Sequence, residues 1–280
     1  MRTLLLTSIL ITGLSAFASA ASGTDPIAHP TSANKVVLRV STGGGFVAPQ
    51  TNLRALPAFT LFGNGAVIVP GPVPQLFPGP AIFPLVRTKL SERQVQALLQ
   101  RARRAGLLVR GPIDYGDMGA VGVSDGPTTT LIVNAGGSRV TRQAYALGIG
   151  AGHGRLTAKQ VKTREALARF VAGLPRGLAG ARYAPRALAV YVAAFQGSPQ
   201  PGARPVVWPL TRDLATTGKP GATSAGYRCI AIGGADAKTL LATLRRANEQ
   251  SQWLARAGAT PTYQVIARPL LPDEVGCKTA

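Results

Sequence analysis

The sequence is poor in the residues that build most metal and catalytic centres. It contains two cysteines and two histidines among 280 residues. Two cysteines cannot form a disulfide-dense small scaffold or a four-cysteine zinc site, and two histidines leave little material for a histidine-based centre. No cofactor-binding motif is complete, so we expect neither a cofactor nor a metal.

What is present is a globular composition. The chain is 46% apolar and 15% charged, which is too apolar for intrinsic disorder and allows one or two domains. Its 33 glycines and 22 prolines predict many loops and few long helices. We expect an α+β fold of antiparallel sheets with helices packed on one face, divided into two lobes over 35–178 and 186–280.

Residues 1–20 have the pattern of a secretory signal peptide. The basic Arg2 precedes an apolar core, Leu4–Leu14, and the small residues Ala18–Ala20 suit cleavage. An anchoring helix is the alternative, but the apolar stretch is shorter than the roughly 20 residues of a membrane span. Residues 21–34 are predicted to be a flexible leader. We therefore expect a secreted or cell-envelope protein with no transmembrane segment once the signal is removed.

Export places Cys229 and Cys277 in an oxidising compartment, where thiols pair. Pairing would tether the C-terminal segment to an apolar strand that starts near Tyr227. The alternative is a reactive thiol, which requires a Cys-x-x-Cys motif or a nearby histidine, and neither is present. The sequence therefore predicts a structural disulfide.

Positive charge dominates and is unevenly placed. The chain has 31 basic and 11 acidic residues, a net charge of +20, and over 139–186 Glu165 is the one acid among ten basic side chains. Such a field attracts anionic polymers and membranes, although it also serves solubility. We expect an anion-binding patch on the second predicted helix and its flanks, made of Arg155, Lys159, Lys162, Arg169 and Arg176.

Capping and turn signals place the elements. Ser91 with Gln94 and Thr157 with Gln160 predict the starts of two helices, and Asn64-Gly65 predicts a two-residue hairpin turn with positive φ at both positions. Asp236 is expected to cap a third helix that continues to Leu254. Strands are predicted over 36–40, 59–62, 66–69, 128–134, 139–147, 188–192, 227–232 and 262–268.

The proline-rich stretch 70–84 contains apolar residues that are unusual in a solvated linker. Polyproline segments can be partner ligands. We favour the alternative, a loop that lies over the core.

Gly122–Gly126 matches the G-x-S-x-G motif of serine hydrolases, with Ser124 at the nucleophile position. In those enzymes a helix follows the serine directly. Here Pro127 and a run of threonines follow, which favours a turn feeding a strand. The one candidate base is His153, because His29 lies in the leader.

Three acids lie within twelve residues, and together with a tyrosine and Ser124 they form a candidate ligand pocket. Neither the spacing of a calcium loop nor a defined acid/base pair is met, so turn capping or pairing with arginines is the alternative. The candidate residues are Asp114, Tyr115, Asp117, Ser124 and Asp125.

The glycine-rich stretch 148–154 precedes the second helix, as a phosphate-binding turn would. The Rossmann spacing fails because His153 occupies the third glycine position. A glycine loop without a ligand is the safer interpretation, and anion capture there is the alternative.

Four sequence blocks carry a resemblance. FTLFGNGAVI, DYGDMGAVGVSDGPTT, WPL and RPLLPDEVGC, in that order, resemble a group of uncharacterised secreted proteins of actinobacteria. The group has no established activity, so the resemblance implies export and a shared fold but supplies no site residues.

Three functions are compatible with these features. We favour a non-enzymatic exported protein that binds an anionic envelope component or another exported protein. The second is a hydrolase acting on an envelope polymer or ester through the 114–125 carboxylates or Ser124, so the question of catalysis stays open. The third is a secreted partner-binding or inhibitor module. No specific nucleic-acid partner is expected for an exported protein.

Overall fold

The computed structural model describes residues 25–120, 122–149, 155–196, 198, 201–220, 226–260 and 262–277. The predicted signal peptide lies outside these residues.

The α+β prediction is confirmed, since two mostly antiparallel sheets carry the helices. The helices are α1 (Pro49–Arg54), α2 (Glu92–Arg104), α3 (Ala158–Ala172) and α4 (Gly234–Leu244). The first sheet contains β1 (Val36–Gly43), β2 (Phe59–Phe62), β3 (Ala66–Pro70), β4 (Leu85–Lys89), β5 (Thr128–Ala135), β6 (Ser138–Tyr145) and β7 (Ala181–Arg182). The second contains β8 (Ala187–Ala194), β9 (Pro205–Val207), β10 (Arg228–Gly233), β11 (Gln252–Leu254) and β12 (Thr262–Pro269).

The first sheet has the order β6-β5-β1-β2-β3-β4-β7. The predicted β2–β3 hairpin is present, but its turn differs from the expected one. Gly65 has φ of 80° and its N–H donates to the Phe62 carbonyl at 2.9 Å, while the Asn64 side chain accepts from the Ala66 N–H at 3.1 Å. Asn64 is not in the left-handed region, so the loop has three residues and the left-handed position is the last.

Helices α2 and α3 begin as their capping boxes predict. The Gln94 N–H donates to Ser91 Oγ at 3.4 Å, and the Ser91 N–H donates to Gln94 Oε1 at 2.8 Å. Thr157 and Gln160 make the same pair of bonds. Both helices pack on one face of the first sheet, and their buried apolar residues are Val95, Leu98, Leu99, Ala102, Leu167 and Phe170.

The described part of the predicted leader does not behave as a flexible segment. Ile27 is buried in the same core as α2. Its N–H donates to Gln96 Oε1 at 2.8 Å, and Gln96 Nε2 donates back to the Ile27 carbonyl at 3.0 Å. Gln100 Nε2 also donates to the Asp25 carbonyl at 3.0 Å, so a buried apolar side chain and several hydrogen bonds hold this segment on the helix.

The second sheet has the order β10-β8-β12-β11-β9, and β9–β11 is a parallel pair. The third helix was predicted to run to Leu254, and this is wrong because α4 ends at Leu244. The Asn248 side chain accepts from the Gln250 N–H at 3.0 Å and from the Ser251 hydroxyl at 3.2 Å. These bonds form a turn in competition with the helix.

Asp236 does not cap α4 as predicted. The N-cap position is Gly233, which supplies no side-chain bond. Asp236 instead pairs with Arg212 at 2.8 Å.

Each sheet is completed by residues from the other half of the chain. We call this region the junction, and it comprises Arg39, Leu53, Arg54, Ala81, Ile82, Glu249 and residues 268–277 with the disulfide that holds them. Ala81 and Ile82, from the proline-rich stretch, are buried in the core beneath α4. This agrees with a loop that lies over a core, although Phe77 remains 74% exposed. Leu53 of α1 packs on the opposite face of the second sheet, and Leu271 packs on the second face of the first sheet.

Candidate functional site

The first region of interest is the candidate loop, the described residues within 107–126. Asp114 and Asp117, both exposed, accept backbone bonds in tight turns. The Gly116 N–H donates to Asp114 Oδ1 at 2.8 Å, and the Gly119 N–H donates to Asp117 Oδ1 at 2.8 Å. These carboxylates therefore serve as turn caps, as the alternative interpretation expected.

Asp114 also connects the loop to α3. Gln160 Nε2 donates to Asp114 Oδ2 at 2.9 Å. The Gly116 N–H, the Gln160 amide and the charge of Lys159 together hold the pKa of this carboxyl below its ordinary value. A carboxylate that is stabilised in its ionised form is poorly suited to act as a general acid.

Ser124 is exposed, and the residues around it form a turn instead of a nucleophile elbow. Asp125 has φ of 56°, and the strand β5 follows without an intervening helix. Tyr145 holds the turn, since its hydroxyl accepts from the Gly126 N–H at 2.7 Å and donates to the Val123 carbonyl at 3.2 Å. His153 lies outside the described residues. The local geometry is that of a turn feeding a strand.

Tyr115 is separated from the candidate carboxylates by burial. Its side chain belongs to the core beneath α2 and α3, and its hydroxyl has no hydrogen-bond partner within the described chain. Burial raises the pKa of the phenol, against the opposing charge of Arg142. The structure therefore does not bring Tyr115 to the surface that carries Asp114 and Asp117.

Two buried arginines hold the candidate loop by its carbonyls. Arg142 is 2% exposed and donates to the carbonyls of Leu107 at 3.1 Å, Gly111 at 2.6 Å and Val109. Three bonds from one planar group fix the start of the loop.

Arg164 joins the centre of the candidate loop to the end of β6. It is buried on α3 and donates to the carbonyls of Tyr115 at 3.1 Å, Tyr145 at 2.8 Å and Ala146 at 2.7 Å. Burial lowers the pKa of the Arg164 guanidinium below its usual value. In the sequence, Arg142 and Arg164 are two of the ten basic residues within 139–186. Because both are buried and bonded to carbonyls, their charges are not available to a partner.

The predicted anion patch is at the surface. Lys159, Lys162 and Arg176 are exposed. Arg169, with its side chain 69% exposed, pairs with Glu165 at 3.1 Å. Arg155 is exposed and donates to the Ala120 carbonyl at 2.9 Å, so it also ties the start of α3 to the candidate loop.

Helix α2 adds basic residues that sequence reasoning left out of the patch. Its exposed face carries Arg93, Arg103 and Arg104. Its C-terminal end meets that of α3, because Arg101 donates to the Gly173 carbonyl at 3.0 Å and lies 5.7 Å from the Phe170 ring centroid. The helical period places these arginines outside, but only the tertiary fold brings the two helix ends together. We call Arg93, Arg103, Arg104, Lys159, Lys162, Arg169 and Arg176 the basic helix face.

The second region of interest is the tail, residues 268–277, where the predicted disulfide is confirmed. Cys229 and Cys277 are bonded, with their Cα atoms 6.2 Å apart. Arg268 is fully buried and donates to Glu274 Oε1 at 2.5 Å and to the Ala55 carbonyl at 3.0 Å. Asp273 reaches the first sheet, where it pairs with Arg39 at 2.6 Å. The tail therefore joins the two sheets.

Metal-binding and membrane-spanning features are absent from the described ranges. Within them, no group of three or more histidine, cysteine or acidic residues is placed to hold a metal ion. No helix there is long and apolar enough to cross a lipid bilayer. Most of the glycine-rich stretch, 150–154, lies outside the described residues.

Comparisons with protein-family models, with curated proteins and with solved structures give no match for this chain.

Proposed function

We propose that this chain is an exported, non-catalytic binding protein that attaches to an anionic component of the cell envelope through the basic helix face. The observation that carries the proposal is the meeting of α2 and α3 at their C-terminal ends, where Arg101 contacts Gly173 and Phe170. This contact joins the helix ends near Arg103, Arg104, Arg169 and Arg176, while the other basic residues of the face lie toward the N-terminal ends of the same two helices.

The charge balance of this surface supports attraction to anions. On α2 and α3 the acids are Glu92 and Glu165, and both are already engaged. Glu92 accepts from Gln96 at 2.8 Å and lies 3.1 Å from His29, while Glu165 pairs with Arg169. Lys159 in addition lies near the exposed Asp114 carboxylate. The basic side chains that have no such neighbour project a positive field into solvent, and such a field concentrates anionic partners.

The candidate loop supports a binding role over hydrolysis. Asp114 and Asp117 are bonded to backbone amides of their own turns, and Ser124 precedes a strand. A nucleophile needs a neighbouring base and an orienting group. These residues already have structural partners that account for their positions.

Export is supported by the signal-like N-terminus and by the disulfide between Cys229 and Cys277. The resemblance to secreted proteins of actinobacteria is part of the same proposal. Three of the four blocks that carry it fall on the β2–β3 hairpin, the candidate loop and the tail, and the fourth, WPL, directly follows β9, so all four lie in structural parts of the fold.

The test is binding of the mature protein to phospholipid vesicles, measured by co-sedimentation. Vesicles of phosphatidylglycerol and phosphatidylcholine should bind at low salt and release the protein as salt rises, because screening shortens the reach of the charges to about 8 Å at physiological ionic strength. The variant Lys159→Glu/Lys162→Glu/Arg169→Glu should bind roughly 100-fold more weakly, since each basic residue near such a surface contributes about 1 kcal/mol.

The matched control is Lys238→Glu/Arg246→Glu/Arg256→Glu, which makes the same change in net charge at exposed positions of the second lobe. It should bind much as the parent does. Equal losses in both variants would mean that only net charge matters, and this would overturn the assignment to the basic helix face.

A further inference from the structure

A cavity of about 330 Å³ lies at the junction, on the face of the first sheet opposite the helices. Its floor is apolar and includes Ala66, Ile68 and Leu271. Proteins hold small ligands in cavities of roughly 300–1,000 Å³ that are mostly apolar with a few polar groups. The size of this cavity is therefore within the range of small-molecule sites, and its lining combines an apolar floor with charged groups.

Two arginines line the cavity with their charges unpaired within the described chain. Arg87 on β4 pairs in register with Ile68 on β3, so the two side chains share one face of the sheet. Arg186 reaches the same cavity from the segment before β8. Among the described residues, neither guanidinium makes a salt bridge or a side-chain hydrogen bond.

Two other polar side chains of the cavity, Tyr183 and Glu274, already have partners. The Tyr183 hydroxyl donates to the Leu270 carbonyl at 3.0 Å. Glu274 accepts from Arg268 at 2.5 Å and from the Leu271 N–H at 2.8 Å. The charge of Glu274 is therefore already balanced by a fully buried arginine.

The position of Tyr183 shows that both arginines act on one place. Burial and the Glu274 carboxylate raise the pKa of this phenol, while the charges of Arg87 and Arg186 lower it. Arg87 and Arg186 also line the same cavity, so an anionic head group placed in it would be attracted to both. Paired guanidinium groups bind carboxylate and phosphate oxygens through charge-assisted bonds.

We infer that this cavity binds a small amphiphilic organic anion. Its carboxylate or phosphate head would lie between Arg87 and Arg186, and its short apolar body would lie on Ile68 and Leu271. This site is on the opposite face of the first sheet from the basic helix face, so it is independent of the proposed attachment function.

Isothermal titration of the mature protein with three eight-carbon probes tests the inference. Octanoate and octyl phosphate should bind saturably with one site each, and the tighter of the two identifies the head group. The uncharged 1-octanol, which has the same chain, should bind at least about tenfold more weakly because it offers no charge to the arginines. Octanol binding as tightly as the anions, or no saturable binding of any probe, would overturn the proposal.

Substitutions of the two cavity arginines test whether the anion binds in this cavity. Arg87→Gln/Arg186→Gln should reduce octanoate affinity about 100-fold, since removing each guanidinium should weaken binding about tenfold. Lys238→Gln/Arg256→Gln removes the same charge at exposed positions that do not line the cavity, and it should bind octanoate like the parent. Thermal unfolding verifies that both variants are folded. If both lose affinity equally, the arginines of the cavity are not the binding groups.

The two proposals can fail separately. Vesicle binding of Arg87→Gln/Arg186→Gln should match that of the parent, while octanoate binding should survive in Lys159→Glu/Lys162→Glu/Arg169→Glu.

Discussion

The candidate loop and the junction are both held by arginines, but these arginines have different partners. In the loop, Arg142 and Arg164 donate only to backbone carbonyls. At the junction, Arg268, Arg39 and Arg54 each pair with a carboxylate, at 2.5, 2.6 and 2.8 Å respectively. A carbonyl accepts a hydrogen bond at any pH, whereas a carboxylate loses its charge in acid. The arginine contacts of the loop should therefore be insensitive to acid, whereas the arginine contacts of the junction should be sensitive to it.

The largest expected effect comes from removing the covalent part of the junction. Cys229→Ser/Cys277→Ser opens a loop with a sequence separation of 48, and the chain-entropy estimate for this length is about 4 kcal/mol of unfolding free energy. Urea unfolding of parent and variant measures the loss. The candidate loop should keep its protection from hydrogen exchange under native conditions, because its arginines do not depend on the tail. Loss of protection in both regions would remove the distinction between them.

The second effect separates the two kinds of arginine contact. Arg268→Met keeps the packing volume but removes the buried guanidinium that pairs with Glu274 at 2.5 Å, so unfolding free energy should fall by about 3 kcal/mol. Arg142→Met leaves neutral carbonyls unbonded, and about 2 kcal/mol is expected. The double change Arg268→Met/Glu274→Gln should recover part of the loss, since no charge then stays buried. If the double variant is no more stable than Arg268→Met, the stability lost with Arg268 comes from its packing and not from its charge pair.

The smallest effect is the acid sensitivity of one junction pair. Burial opposes ionisation of Glu249, but the Gly79 N–H and Arg54 outweigh it and hold the pKa of this carboxyl below its ordinary value. Because the pKa of Glu249 is lower in the folded state than in the unfolded state, its contribution to the free energy of unfolding is complete above the unfolded-state pKa. It is lost as pH falls through the folded-state value, which places the change below about pH 5.

Urea midpoints at pH 7, 5, 4 and 3 measure this dependence. Glu249→Gln should flatten the pH profile, whereas Glu165→Gln, at an exposed helix pair, should leave it unchanged. A parent profile as flat as that of Glu249→Gln would contradict the role given to this pair.

Local signals predicted the elements that depend on neighbouring residues. Ser91 with Gln94 defined the start of α2, and the strands that flank Gly63–Gly65 formed the expected hairpin. Cys229 had one possible partner, so the disulfide followed once export was assumed.

The errors came from features that only distant contacts decide. Ile27 looked like part of a polar leader, yet Gln96 on α2 fixes it in the core. Ser251 fits a helical period, but Asn248 forms a turn with it.

The candidate sites were affected in the same way. Arg142 and Arg164 were counted as surface charge, because composition does not record which arginines will meet carbonyls 18 to 49 residues away. Arg87 and Arg186 carried no motif, and their shared cavity exists only because the tail covers the first sheet.

At the junction each half of the chain supplies core residues to the sheet of the other half, and this determines the order in which the parts can fold during synthesis. The first sheet is complete in sequence by Arg182, but the residue that covers its second face is Leu271. The second sheet in turn needs Leu53 and Ile82, which are made long before it. A chain made from its N-terminus can therefore form α2, α3 and their core early, while an apolar surface waits for residues that emerge last. Neither half, produced alone, would hide all its apolar surface, so cutting the chain between 178 and 186 should yield two fragments that are stable only when mixed.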